Sequence, residues 1–198
     1  MPTNLLLKSK IILFLFLCSS VHFMSAQTET IYIDFGSSGT NESASPWNNI
    51  TNDVSGIFYN LLNTNTDNTG LNFAITDDFE GINELGTTAP NTSLNYTGTA
   101  TSDSFFGSNA NTSAAMTISN LVIGKVYSIN IFGSRTGVTD NRETAYTIDG
   151  ELTETIYLDV SENTNTVANA TFKPKTDGTI TITVAKGPNN TNDAGFFI

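Results

Sequence analysis

The sequence predicts an all-β protein, a two-sheet antiparallel sandwich of the jelly-roll kind with at most one short helix, and three observations carry that prediction. Apolar and polar residues alternate at period two in segment after segment, the spacing that puts every second side chain on a core face. The 198 residues include 31 Thr and 24 Asn, which supply β-branched residues for strands and turn formers between them. Helical spacing of apolar residues occurs once. A doubly wound α/β fold needs a helix after each strand, so that class is excluded.

Taken in chain order, residues 1–26 read as a secretory signal peptide. Lys8 and Lys10 precede the apolar run Ile11 to Leu17, and Ser25-Ala26 offers small residues for cleavage before Gln27. The run is shorter than the roughly 20 residues a spanning helix needs, so it is expected to be removed and no membrane span is expected. A lipid anchor on Cys18 is disfavoured because Leu17 is large where such sites want a small residue. Residues 27–198 show no repeat, linker or change of composition, and are expected to form a single β-sandwich domain.

Within that domain, Ile31, Ile33 and Phe35 alternate with Tyr32 and Asp34 as a first strand. Ser45-Pro46-Trp47-Asn48-Asn49 has a loop composition. Val54, Ile57, Phe58, Leu61 and Leu62 share one face of a helix, and Gly56 among them costs about 1 kcal/mol relative to Ala, so a short helix or helical turn is expected there. Leu71, Phe73 and Ile75 make the next strand, followed by Met116 and Ile118 leading to Leu121, and by Tyr127, Ile129 and Ile131. Tyr146 and Ile148 run into Asp149-Gly150, a hairpin dipeptide, with Ile156 and Leu158 beyond it. A weaker strand covers Val167 to Phe172. Ile180, Ile182 and Val184, entered through Asp177-Gly178, alternate most cleanly. The chain stops on the apolar run Ala194 to Ile198, which reads as an interrupted strand and leads to the expectation that the protein continues beyond Ile198.

Composition narrows the chemistry. The net charge is −11, a surface that repels phosphate backbones, and the basic residues form no stripe, so nucleic-acid binding is excluded. The single Cys (Cys18) and single His (His22) both lie in the leader. Residues 27–198 therefore have no disulfide, no thiolate or imidazole metal ligand and no histidine-dependent triad, which points to recognition and away from enzyme catalysis.

The most informative loop, Gly133 to Thr144, places Arg135, Asp140, Asn141 and Arg142 close together in sequence. An Arg fork can pair two oxygens at once, which suits vicinal sugar hydroxyls or a carboxylate; the competing reading is that these residues pair with one another and stiffen the loop. Trp47 with Asn48 offers an indole for stacking on a sugar ring beside an amide for its hydroxyls, against the alternative of a packing tryptophan. These six residues are the candidate ligand-binding set. Asp34, Asp77, Asp78, Glu80 and Asp103 admit three readings: solvated acids, a structural Ca²⁺ held by clustered carboxylates, or a glycosidase pair. No other cofactor is expected.

Several blocks together carry a resemblance: Ile31-Tyr32-Ile33-Asp34-Phe35-Gly36-Ser37, Trp47-Asn48-Asn49, Ser102-Asp103-Ser104-Phe105-Phe106-Gly107, the Phe132 to Tyr146 segment, and Gly187-Pro188-Asn189-Asn190. In this arrangement the chain resembles secreted bacterial β-sandwich modules of the galactose-binding-like or carbohydrate-binding type, often appended to polysaccharide-degrading enzymes. The resemblance implies a jelly roll exported to the medium or cell surface, a polysaccharide or other glycan as partner, and an appended or associated carbohydrate-active enzyme. It carries over no ligand contact, because such modules bind on different loops or faces. The functional expectation is a non-catalytic carbohydrate-binding module. A structural or adhesive surface domain without small ligand is the alternative, and a carbohydrate-active enzyme the third reading.

Overall fold

The computed structural model describes residues 29–192 and 195–198; the expected signal peptide, with Cys18 and His22, lies outside them. The described chain is almost wholly β structure. Its strands are β1 (Tyr32–Phe35), β2 (Trp47–Ile50), β3 (Phe58–Leu62), β4 (Asn68–Asp77), β5 (Gly81–Asn83), β6 (Ser104–Gly107), β7 (Ser113–Ser119), β8 (Tyr127–Ile131), β9 (Glu143–Asp149), β10 (Thr153–Asp159), β11 (Ala168–Phe172), β12 (Ile180–Lys186) and β13 (Phe196–Phe197). One four-residue helix, α1 (Thr99–Ser102), and a single 3-10 turn (Thr92–Leu94) complete the described elements.

One layer is a six-stranded antiparallel sheet in the order β10-β9-β12-β7-β4-β3. Its register follows from the alternation in the sequence. Ile182 lies opposite both Met116 and Ile148, and all three are buried, while Thr181 and Thr183 turn outward. Asp149-Gly150 closes the β9–β10 hairpin as expected, and Gly178 takes φ +76° at the turn entering β12.

The facing layer is built from three pieces: β1-β2, β8-β11 and β13-β6-β5. Phe35 on β1 meets Phe73 of the six-stranded sheet and Phe105 of its own layer, with ring centroids 5.6 Å away in each case, so aromatic packing joins the two layers. The C-terminal strand is locked from both sides. Tyr146, fully buried, donates its hydroxyl to the Phe197 carbonyl at 2.7 Å, and the Phe197 N–H donates to Thr144 Oγ1 at 3.1 Å.

Two expectations are corrected. Residues 54–62 form no helix: 58–62 are β3, paired with β4, and Gly56 sits at φ +97° in the turn before it. Helical spacing misled because Phe58 is 76% exposed while Leu61 is buried, so the apolar residues do not share one face. Trp47 and Asn48 are not in a loop. They begin β2, which pairs with β1 in parallel, Tyr32 opposite Trp47 and Ile33 opposite Asn48, whereas the other strand pairs among the described residues are antiparallel. The Asn48 amide explains part of this pairing. Its Nδ2 donates to the carbonyls of Tyr32 (2.8 Å) and Leu62 (2.9 Å), and its Oδ1 accepts from the Leu62 N–H (2.8 Å), which staples three strands with one side chain.

Candidate binding cavity

The division of the facing layer leaves β1 paired only with β2, and β8 only with β11. Between their free edges opens a cavity of about 550 Å³. Consecutive residues line it on both strands, Ile31-Tyr32-Ile33 on one and Ser128-Ile129-Asn130-Ile131 on the other. A strand facing a cavity with one side contributes alternate residues, so consecutive ones mark an edge. On the side of the six-stranded sheet the partly exposed lining side chains are Leu71 and Ile118, while Leu61, Phe73, Met116 and Ile182 border the cavity as buried core residues.

An array of aromatic rings borders the cavity. Tyr32 and Trp47 stack at 4.7 Å with planes 22° apart, Tyr96 meets Trp47 edge-on at 6.0 Å, and Phe132 meets Tyr96 edge-on at 5.8 Å. All four line the cavity. Burial, and then the neighbouring Tyr32, holds the Tyr96 phenol above its ordinary range.

Asp103 is the acidic group set deepest into the cavity wall, at 5% exposure. Its Oδ2 accepts from the Ser37 N–H at 2.8 Å and the Ser37 hydroxyl at 3.0 Å, whereas Oδ1 has no partner. Burial raises its pKa, the Ser37 donors oppose that, and the charge of Glu84 adds to it. Gly36 makes this seat: a Cβ there would lie 2.2 Å from the Asp103 Cγ. Nearby Asp34, 4% exposed, accepts from the Ser43 N–H at 3.2 Å, and burial is the main reason its pKa climbs from 3.8 to about 6, with the Asp103 charge contributing.

The six candidate residues divide between two places. Trp47 lines the cavity, and Asn48 beside it is committed to backbone groups. Arg135, Asp140, Asn141 and Arg142 belong to a hydrogen-bonded loop; none of the four lines the cavity, although Gly133 and Ser134 at the start of the same loop do. The Arg142 guanidinium pairs with Asp140 at 3.1 Å, with its side chain 12% exposed. Its backbone N–H donates to Asp159 Oδ1 and Ser161 Oγ, both at 3.0 Å. Asn141 Nδ2 reaches Asp159 at 3.1 Å, its N–H reaches Thr191 at 3.1 Å, and Asp140 also accepts from Asn192. Arg135 Nη1 donates to the Thr136 carbonyl, and its backbone N–H bonds to Val160 O at 2.7 Å.

Asp77, Asp78 and Glu80 are exposed, and among the described residues no three acidic side chains converge as a metal site would require. Tyr32, Tyr96 and Phe132 are the site residues that sequence patterning did not mark. Tyr96 in particular lies in a stretch with no periodicity, and only the fold brings it onto Trp47. The chain matches no protein family, no curated protein and no solved structure.

Proposed function

We propose that the protein is an exported, non-catalytic module that binds glycans in the cavity between β1 and β8. The observation that supports this reading is the cavity itself: about 550 Å³, within the roughly 300–1,000 Å³ of small-ligand sites, and bordered by four aromatic rings. The apolar face of a pyranose packs on such rings, and the exposed Ser128 and Asn130 in the lining supply groups for its hydroxyls. Residues 27–198 hold no imidazole or thiol, which removes histidine- and cysteine-dependent catalysis and favours a binding role. A module of this kind raises the local concentration of an appended or associated carbohydrate-active enzyme on its polysaccharide, because a tethered second site makes the encounter intramolecular.

The test is calorimetric titration of the protein with soluble plant and algal oligosaccharides, in parallel with Tyr96→Ala. Binding that falls about tenfold or more in the variant supports the assignment. Silence across the panel overturns it in favour of an adhesive role.

A further inference from the structure

The six-stranded sheet ends in β10 on one side and β3 on the other, and the two edges are dressed differently. An edge strand offers unpaired N–H and C=O groups to any other chain, and charged side chains are a common guard against such pairing. β10 has that guard, with Glu154 and Asp159 exposed along it. β3 has none. From Val54 to Thr66 the sequence holds no charged residue and no proline, in a chain with 19 Asp and Glu and a net charge of −11.

The side chains along β3 add a second observation. Phe58 is 76% exposed, and Val54 and Ile57 in the turn before it are exposed as well. Phe58 lies opposite Ala74 of β4, whose methyl is too small to cover the ring. Exposed apolar groups gathered along an open backbone edge mark a surface that meets a partner. Asn48 takes up the N–H and carbonyl of Leu62, so the free stretch runs from Ile57 to Leu61.

Charge identifies the partner. Two copies of so acidic a protein repel each other over most of their surface, and the centre of an interface is depleted of charge. The uncharged edge is where that repulsion is least. Antiparallel pairing of a strand with its own copy is two-fold symmetric, so it matches uncharged edge to uncharged edge, consumes both and closes at two. We propose that β3 is the contact of a symmetric dimer, in which the Ile57–Leu61 edges of two copies pair and join their six-stranded sheets into one. This stands apart from what the cavity binds; it gives each assembly two cavities, which a ligand of repeating units engages together. Asp53, Asp67 and Asp78, near the ends of the strand, make the pairing tighten as salt screens them.

The experiment is sedimentation equilibrium of the protein from about 10 µM to 1 mM, the range suited to a contact smaller than a standard interface, at low salt and at about 0.5 M salt. A monomer–dimer equilibrium without larger species is expected, at least threefold tighter at high salt. Phe58→Lys should weaken it tenfold or more although it lowers the net negative charge, and Ile57→Lys serves as a second variant should the first misfold. Tyr157→Lys, on the opposite edge of the same sheet, should leave it unchanged. Amide exchange within Ile57–Leu61 should slow at concentrations that populate the dimer, which contact through side chains alone does not produce. A monomer at every concentration and both salts overturns the inference. Dimers that survive both Lys variants, or that protect amides elsewhere and leave β3 unchanged, overturn the assignment of β3, and open-ended polymers overturn the two-fold closure.

Discussion

The buried Asp34 carboxyl leads to a prediction about how stability depends on pH. Its pKa moves from 3.8 to about 6, chiefly through burial, a shift of about 2 units, worth about 3 kcal/mol at roughly 1.4 kcal/mol per unit. Because the folded pKa is the higher one, the native state holds its proton more tightly than the unfolded chain does. Stability is then greatest where both states are protonated and falls as pH rises from about 4 through about 6. Asp103, raised by burial too, adds slope of the same sign. Asp140, Asp149 and Asp177, whose pKa values are lowered by partners such as Arg142, Lys175 and Thr179, act in the opposite sense, and their contribution is lost only as pH falls below about 4. The melting temperature should therefore peak between pH 4 and 5, with a drop of roughly 6–12 °C on going to pH 7.5, at about 2–4 °C per kcal/mol for a chain of this size. Circular-dichroism melts across pH 3–8 read this directly. Asp34→Asn keeps an acceptor for the Ser43 N–H and removes the titration, so it should flatten most of the slope and be the more stable protein at pH 7.5. A melting temperature that is constant from pH 4.5 to 7.5, or a slope unchanged in the variant, would refute the reasoning.

Four further outcomes are expected from the geometry. Tyr146→Phe leaves the Phe197 carbonyl without its buried donor and should cost about 1–3 kcal/mol in urea unfolding, with faster hydrogen exchange at Ile198. Asn48→Ala removes three hydrogen bonds linking β1, β2 and β3; at about 1 kcal/mol each, a loss near 3 kcal/mol is expected, with the Leu62 amide exchanging faster. Gly36→Ala drives a methyl into the Asp103 carboxyl and should destabilise by roughly 1–3 kcal/mol; the double variant with Asp103→Ala should recover part of that, a non-additivity that a mutant cycle measures. Arg142→Ala should lower the melting temperature by loosening the loop tied to Asp140 while leaving oligosaccharide titrations unchanged, whereas weakened binding would move the ligand site to that loop.

Strands with one buried face could be read from the sequence because burial and alternation coincide in them: Ile180, Ile182 and Val184 are all buried, with Thr181 and Thr183 outside. The turns Asp149-Gly150 and Asp177-Gly178 were equally visible, since local backbone demands choose those residues. Phe58–Leu62 failed because an exposed Phe broke the pattern that burial would have written. The short β5 and β6 give too few residues for any period, and in β6 Ser104, Phe105 and Gly107 are all buried. Parallel pairing of β1 with β2 depends on the amide of Asn48 reaching two other strands, which no local pattern announces. At the candidate site, Trp47 stood out by residue type. Its ring partners Tyr32 and Tyr96 come from β1 and from an irregular stretch, and Phe132, just past β8, joins through Tyr96, so only the tertiary fold assembles them. The arginine loop attracted attention for the same chemistry that explains its structural role: Asp159, Ser161 and Thr191, distant in sequence, occupy hydrogen-bonding capacity that would otherwise be offered to a ligand.

The segmented facing layer also bears on how the aperture responds to what enters it. Among the described residues no backbone hydrogen bond joins β1 to β8, so a change in the width of the gap breaks no ladder. Hydrogen bonds hold each ribbon to the six-stranded sheet on its other side, through Asn48 to Leu62 and the Thr64 N–H to the Thr30 carbonyl at 2.9 Å beside β1, and through the Glu151 N–H to the Lys173 carbonyl at 2.8 Å beyond β11, so the aperture is the unladdered seam of that layer.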